Sequence, residues 1–286
     1  MVSPATSPVP AGVRPALTGA ARVAGVIGWP IRHSRSPRLH GHWLARHGID
    51  GAYVPLAIAP QALAAAVHGL RLAGFAGLNV TLPHKQAVMA LCDRLDPSAA
   101  RAGAVNTLVF GADGITGSNT DGAGFLANLQ AHGARLAGPA LLLGAGGGAR
   151  AIAAALLQAG VAVTIANRTP ARAEALAAAL PGVRLIGWAD RAAALADQAL
   201  LVNTTQLGME GQPPLEMSLD RAAPGLAVAD IVYAPLVTPL LADAAARGLL
   251  TVGGIGMLLH QAVPGFSAWF GVTPVVDRAL QDAVLA

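Results

Sequence analysis

The sequence predicts an α/β fold, and three observations predict it. From Arg22 to Phe270, short β-rich runs alternate with Ala-rich helical runs, the pattern of parallel strands joined by crossover helices. The composition suits helices packed on sheets: 54% of residues are hydrophobic, only 4% are aromatic, and 64 are alanine. The run Leu141–Ala149 reads as strand, glycine turn and helix start. At ~100–200 residues per domain, 286 residues make one large or two ordinary domains.

The elements follow in order. Residues 1–20 carry four prolines and no apolar stretch, so they are expected to be a flexible tail rather than a signal peptide. Arg22–Trp29 is the first strand. Ser36-Pro37 resembles an N-cap and first helical residue, opening a helix to about His47. Ala52–Ile58 is strand-like, Pro60–Leu72 helical, Ala76–Val80 a short strand, and a helix is expected after Pro83. Ala104–Phe110 and Ile115–Asn119 are strands, and Asp121 precedes a helix at Ala123–His132. A second series begins near Pro139. Its strands are Ala140–Leu143, Val161–Ala166, Leu200–Val202, Val228–Val232 and one ending at Val252. Its helices are Gly147–Ala159, Ala171–Leu180, Thr238–Arg247 and Gly256–Phe270.

Composition excludes several function classes. With 12% charged residues and an apolar majority, the chain is not of the disordered class. Its net charge of +4 comes from scattered residues with no run of five, which argues against a nucleic-acid partner and suits attraction of small anions. The uncharged stretch from Gly248 to Val276 is interrupted by Gly253, Gly254, His260, Gln261, Pro264 and Pro274, so no membrane helix and a cytoplasmic location are expected. One cysteine, Cys92, excludes an internal disulfide and a multi-cysteine zinc site. No metal is expected, since His40 and His42 are two apart and do not share a helix face.

Against this biased alphabet, the exceptions are informative. Eighteen of the 19 basic residues are arginine, and the single lysine is Lys85, within Gly77-Leu-Asn-Val-Thr-Leu-Pro-His-Lys85. Arginine stays protonated, whereas a lysine amine can shift its pKa and exchange a proton. Five of six asparagines (Asn79, Asn106, Asn119, Asn167, Asn203) fall at expected strand ends.

The turn Gly144-Ala145-Gly146-Gly147-Gly148-Ala149 fits G-x-G-x-x-G/A, follows a strand and opens a helix, the context in which such a turn binds a dinucleotide pyrophosphate. The next strand ends Ala166-Asn167-Arg168-Thr169, with Arg172 close behind and no carboxylate to hold a ribose 2′-hydroxyl. That set suits a 2′-phosphate, so NADP is the expected cofactor. Ser34 and Ser36, beside a helix start, are placed to hold a carboxylate. Asp121 reads either as a helix N-terminal acid or as the partner of a catalytic amine.

Together these motifs resemble the shikimate dehydrogenase family. The matches are His33-Ser34-Arg-Ser36-Pro37, Asn79-Val-Thr81-Leu-Pro83-His-Lys85, Gly103-Ala-Val-Asn106-Thr, Asn119-Thr-Asp121-Gly and Gly144-Ala-Gly146-Gly147. Further along come Asn167-Arg168-Thr169, Asp230-Ile-Val-Tyr233-Ala-Pro235, Thr238-Pro-Leu-Leu241 and Gly256-Met-Leu-Leu-His-Gln261-Ala. They run in family order over about residues 22–270. Gln206 stands where the family usually has a smaller residue, and Gly41 follows His40 where Asn is frequent.

The resemblance implies NADPH-linked, reversible reduction of 3-dehydroshikimate to shikimate, in aromatic amino acid (chorismate) biosynthesis. It implies Lys85 as catalytic acid/base with Asp121 as its partner. Ser34, Ser36, Thr81, Lys85, Asn106, Asp121, Tyr233 and Gln261 would contact substrate. Gly144 through Gly148, Asn167, Arg168, Thr169, Arg172, Ile231 and Gly254 would contact the cofactor. The implied architecture is an N-terminal α/β substrate domain over 21–120 and a Rossmann-like NADP-binding domain over 121–254. The C-terminal helices, 255–286, would return to the first domain. A homodimer is a further expectation. A quinate or aminoshikimate dehydrogenase, or a non-catalytic NADP-binding sensor, is the alternative reading.

Overall fold

The computed structural model describes residues 17–286. The expected tail lies outside them except for its last four residues, of which Thr18 is anchored. Thr18 Oγ1 donates to Asp50 Oδ2 at 2.5 Å, and the Thr18 amide donates to Asp50 Oδ1 at 3.2 Å.

The chain divides into two compact units. One contains the residues up to Asp93 with Thr107–Thr116 and Val263–Ala286; the other contains Arg94–Asn106 and Gly117–Ala262. These bounds differ from the domain boundaries expected after residues 120 and 254. Helix α8 (Gly254–His260) stays with the second unit because it packs on α4 (Asp121–Ala131): Asn128 Nδ2 donates to the carbonyl of Gly253 at 2.9 Å. Likewise α3 (Pro97–Ala102) is joined to α5 (Gly147–Gln158) by Arg101 donating to Gln158 Oε1 at 2.9 Å.

The first sheet has the order β2-β1-β3-β5-β6-β4. Strands β1 (Arg22–Gly28), β2 (Gly51–Ala57) and β3 (Gly77–Val80) are parallel. The all-parallel expectation fails at β5 (Thr107–Gly111), which runs antiparallel to β3 with Asn79 opposite Thr107. Only Ala112 and Asp113 separate β5 from β6 (Gly114–Ser118), too short a link for a parallel crossover. Strand β4 is Arg94–Leu95.

Helix α1 (Ser36–Arg46) buries Leu39, His40, Trp43 and Leu44. Ser36 is its first helical residue, not its cap; Arg35 holds the cap position without a side-chain bond. Helix α2 (Leu63–Leu72) follows a 3₁₀ turn at Pro60–Ala62. The helix expected after Pro83 is a 3₁₀ turn at Ala87–Leu91. Only Val88 is buried there, so the segment has no apolar face to hold an α-helix in place. Helices α9 (Ala262–Phe270) and α10 (Arg278–Leu285) close the chain. Trp43, Phe266 and Trp269 are fully buried together around His40 and Tyr53.

The second sheet is parallel throughout, in the order β12-β11-β10-β7-β8-β9. Its strands are β7 (Ala140–Leu143), β8 (Val163–Ala166), β9 (Val183–Ile186), β10 (Leu200–Asn203), β11 (Ala227–Asp230) and β12 (Leu250–Val252). Both faces are covered, as near-continuous apolar strands require. Ala140 and Leu142 enter one core while Leu141 and Leu143 enter the other. Helices α6 (Pro170–Ala179) and α7 (Pro239–Ala246) complete the βα series. Strand order reverses between β7 and β10, and ligands of such sheets bind outside the strand C-termini at this point. Among the described residues no helix is long and apolar enough to cross a membrane.

Candidate active site

In the second unit, a polar cluster forms where β6 passes into α4. Asn119 Oδ1 accepts the Asp121 amide at 3.1 Å, and Asn119 Nδ2 donates to the Ala104 carbonyl at 3.0 Å. Asp121 therefore begins α4 in a set orientation, where a negative charge favours the helix N-terminus. Asn106 Nδ2 donates to Asp121 Oδ1 at 2.8 Å, while Asn106 Oδ1 accepts the Thr120 amide at 2.9 Å. Gln261 Oε1 lies 3.4 Å from both Asn106 Nδ2 and Thr120 Oγ1. The structure thus brings together Asn106, Asp121 and Gln261. It adds Thr120, which is buried and which sequence reasoning passed over although it lies inside Asn119-Thr-Asp121.

In the first unit, Ser34 and Ser36 flank the start of α1, and the Ser36 amide donates to Ser34 Oγ at 3.3 Å. Thr81 and Lys85 follow the C-terminal end of β3 and are both half-buried. The Thr81 amide continues the sheet by donating to Ile27 O at 3.0 Å, and the His84 amide turns back onto Thr81 O at 3.0 Å. His84 Nε2 lies 2.7 Å from the Ile58 carbonyl, anchoring the turn that carries Lys85. Tyr53 Oη donates to Asn79 Oδ1 at 2.6 Å, and Asn79 Nδ2 donates to Thr107 Oγ1 at 3.3 Å. Burial pushes the Tyr53 phenol well up, opposed by a smaller effect of hydrogen bonding with Ser36. His40 stacks on Tyr53 at 3.9 Å, and burial lowers its imidazole to about 3. Neither Tyr53 nor the buried role of His40 was foreseen, because both depend on partners distant in sequence.

The glycine turn fits a dinucleotide. Gly144 has φ +110°, and a Cβ there would sit 2.7 Å from Thr204 Oγ1. Gly146 and Gly147 are exposed and would meet nothing within 4 Å. Helix α5 begins at Gly147 with no side-chain cap, so its first N–H groups remain available for an anion. Ala145 is half-buried beside them. Gly148 is required small, since a Cβ would lie 3.1 Å from Ile231 Cδ1. Gly254 is more tightly constrained: its Cβ would lie 2.4 Å from Ile231 O. At the end of β8, Asn167 Nδ2 donates to Thr169 O at 2.8 Å, shaping a loop whose Arg168, Thr169 and Arg172 are exposed. No acidic residue occurs between Ala166 and Ala173. These residues fit NADP: glycine-lined N–H groups for the pyrophosphate, cations for a 2′-phosphate. Tyr233 is half-buried on the loop after β11. Among the described residues no group of three or more His, Cys, Asp or Glu side chains could hold a metal ion.

Residues 26–108 match the family described as shikimate dehydrogenase substrate binding domain, and residues 130–207 match shikimate / quinate 5-dehydrogenase. A protein of Acidiphilium cryptum (strain JF-5) named shikimate dehydrogenase (NADP(+)) is 69% identical, covering 94% of this chain and 98% of its own length. One of the same name from Rhodospirillum rubrum is 59% identical, covering 94% and 99%. Among solved structures, shikimate 5-dehydrogenase from Thermus thermophilus in complex with NADP(H) and shikimate is 38% identical, with a TM-score of 0.83 and coverage of 92% and 98%. With such identity spread over both units, the chain belongs to the shikimate dehydrogenase family.

Proposed function

We infer that the chain catalyses the reversible NADP(H)-linked interconversion of 3-dehydroshikimate and shikimate. NADPH, when bound, supplies the hydride that reduces the ketone carbon. The chain supplies binding, charge and a proton. As reduction proceeds, negative charge grows on the carbonyl oxygen; the Lys85 ammonium stabilises it and donates a proton from Nζ. In the oxidation direction the neutral Lys85 amine accepts that proton. Asp121 orients the amine and accepts from a ring hydroxyl. Ser34 and Ser36 bind the substrate carboxylate, and Thr81, Asn106, Tyr233 and Gln261 hold the rest of the ring. Gly144 to Gly148, Ile231 and Gly254 receive the pyrophosphate and nicotinamide half of the cofactor, while Asn167, Arg168, Thr169 and Arg172 receive the 2′-phosphate end.

The observation that carries this reading is the Asn106–Asp121 hydrogen bond, which holds a carboxylate acceptor at the start of α4. A cofactor-binding sensor would have no use for a carboxylate held in this way. The test is a panel of shikimate, quinate and aminoshikimate with NADP+ and NAD+, followed by absorbance of the reduced nicotinamide. Shikimate with NADP+ is expected to give the highest kcat/KM; faster turnover of quinate with NAD+ would overturn the reading. Homodimeric assembly belongs to the same proposal and is checked by light scattering on the purified protein. So does a cytoplasmic location, since a dissociable NADP(H) must be regenerated where the enzyme works.

A further inference from the structure

A buried carboxylate outside the substrate site remains to be explained. Asp230, at the C-terminal end of β11, is 2% exposed. Three groups donate to it. Asn203 Nδ2 spans its two oxygens at 3.0 and 3.1 Å, the Val232 amide reaches Oδ1 at 3.0 Å, and Thr238 Oγ1 reaches Oδ2 at 2.8 Å. Asn203 and Thr238 are as deeply buried as the acid they hold. Burying a carboxylate among neutral donors is costly, and a well-packed apolar residue would serve stability as well.

The site that this carboxylate organises is the mouth of the cofactor cradle. Asn203 ends β10, and its Oδ1 accepts both the amide and the hydroxyl of Thr205, at 3.0 and 2.7 Å. The neighbouring Thr204 hydroxyl donates to the carbonyl of Leu143, immediately before Gly144. On the other side, the Ile231 amide donates to Asn203 O at 3.1 Å. Ile231 is the residue whose side chain limits Gly148 and whose carbonyl limits Gly254. The loop between Asp230 and Thr238 therefore meets the starts of α5 and α8 through Ile231, and it carries Tyr233.

We propose that Asp230 is a positioning residue of the cofactor pocket: through Asn203, Val232 and Thr238 it sets the loop that presents Ile231 to the glycine turn. The carboxylate is needed because it is acceptor-only at every lone pair. An amide would point N–H groups at one of the three donors.

The proposal rests on the functional reading above, and the test separates the two. Asp230→Asn, Thr238→Val and Thr238→Ser are compared with wild type in three measurements: NADPH affinity by fluorescence titration without substrate, kinetics of shikimate oxidation, and thermal unfolding of the protein alone. Asp230→Asn is expected to weaken NADPH binding by about tenfold, the effect of leaving a buried donor unpaired, with kcat reduced alongside. Thr238→Val should follow in the same direction, and Thr238→Ser should recover most of the affinity. If Asp230→Asn does not fold, the Thr238 pair decides. Variants that lose Tm yet bind NADPH as tightly as wild type would overturn the proposal and leave Asp230 as a packing element. A wild type that binds NADPH but does not oxidise shikimate would overturn the functional reading instead.

Discussion

Asn106 holds Asp121 through a 2.8 Å hydrogen bond from Nδ2 to Oδ1, and Thr120 holds Asn106 in return by donating its amide to Oδ1 at 2.9 Å. The asparagine cannot flip without losing both bonds. One oxygen of the carboxylate is thereby engaged from behind. Asn106→Ala should lower kcat/KM for shikimate by roughly 10- to 100-fold, the worth of a hydrogen bond to a charged group. Steady-state kinetics checks this, and an unchanged kcat/KM would remove Asn106 from the site.

Arg168 and Arg172 are exposed at the end of a strand that offers no carboxylate. Wild type should prefer NADP+ over NAD+ by at least about tenfold in kcat/KM. Arg168→Ala should erode that preference by weakening NADP+ while leaving NAD+ nearly unchanged. Kinetics with both cofactors checks this.

Ser36 is the first helical residue of α1 rather than its cap, so its hydroxyl is not spent on the helix end. Ser36→Ala should raise KM for shikimate, a loss of about 1.5–3 kcal/mol in binding. Ser34→Ala should raise KM similarly and also lose the contact to the Ser36 amide. Unchanged KM in either variant would place the substrate carboxylate elsewhere.

His40 is fully buried against Tyr53, with its imidazole lowered from 6.5 to about 3 by burial. Between those values the unfolded chain binds a proton that the folded chain does not. Stability contributed by the neutral ring is therefore full above pH 6.5 and lost as pH falls toward about 3. His40→Phe should flatten that acid limb. Urea midpoints measured across this range check it, and parallel curves for both proteins would contradict it.

Features encoded by neighbouring residues were legible in the sequence. The strand, glycine turn and helix at Ala140–Gln158 follow from local pattern, as does the basic end of β8. Features set by distant partners were not. Strand β5 looks like any other apolar run, and its antiparallel direction is set by its pairing with β3, where Asn79 lies opposite Thr107, 28 residues away. Helix α8 joins the second unit through Asn128, more than a hundred residues earlier. Tyr53 meets Asn79 26 residues away, and Asn203 meets Asp230 27 residues away; no spacing rule connects either pair. Short elements also escaped notice: α3 has six residues and β9 four, too few to show a period.

The central claim is that Lys85, the single lysine among 19 basic residues, handles a proton rather than merely supplying charge. The direct measurement is steady-state oxidation of shikimate by Lys85→Arg across pH, with circular dichroism and NADPH titration to verify fold and cofactor binding. Arginine keeps the positive charge but exchanges protons poorly at ordinary pH. The account predicts a folded variant that binds NADPH normally and loses at least about 100-fold in kcat. An arginine variant whose kcat stays within a few-fold of wild type would show that position 85 contributes charge alone, and would contradict the account.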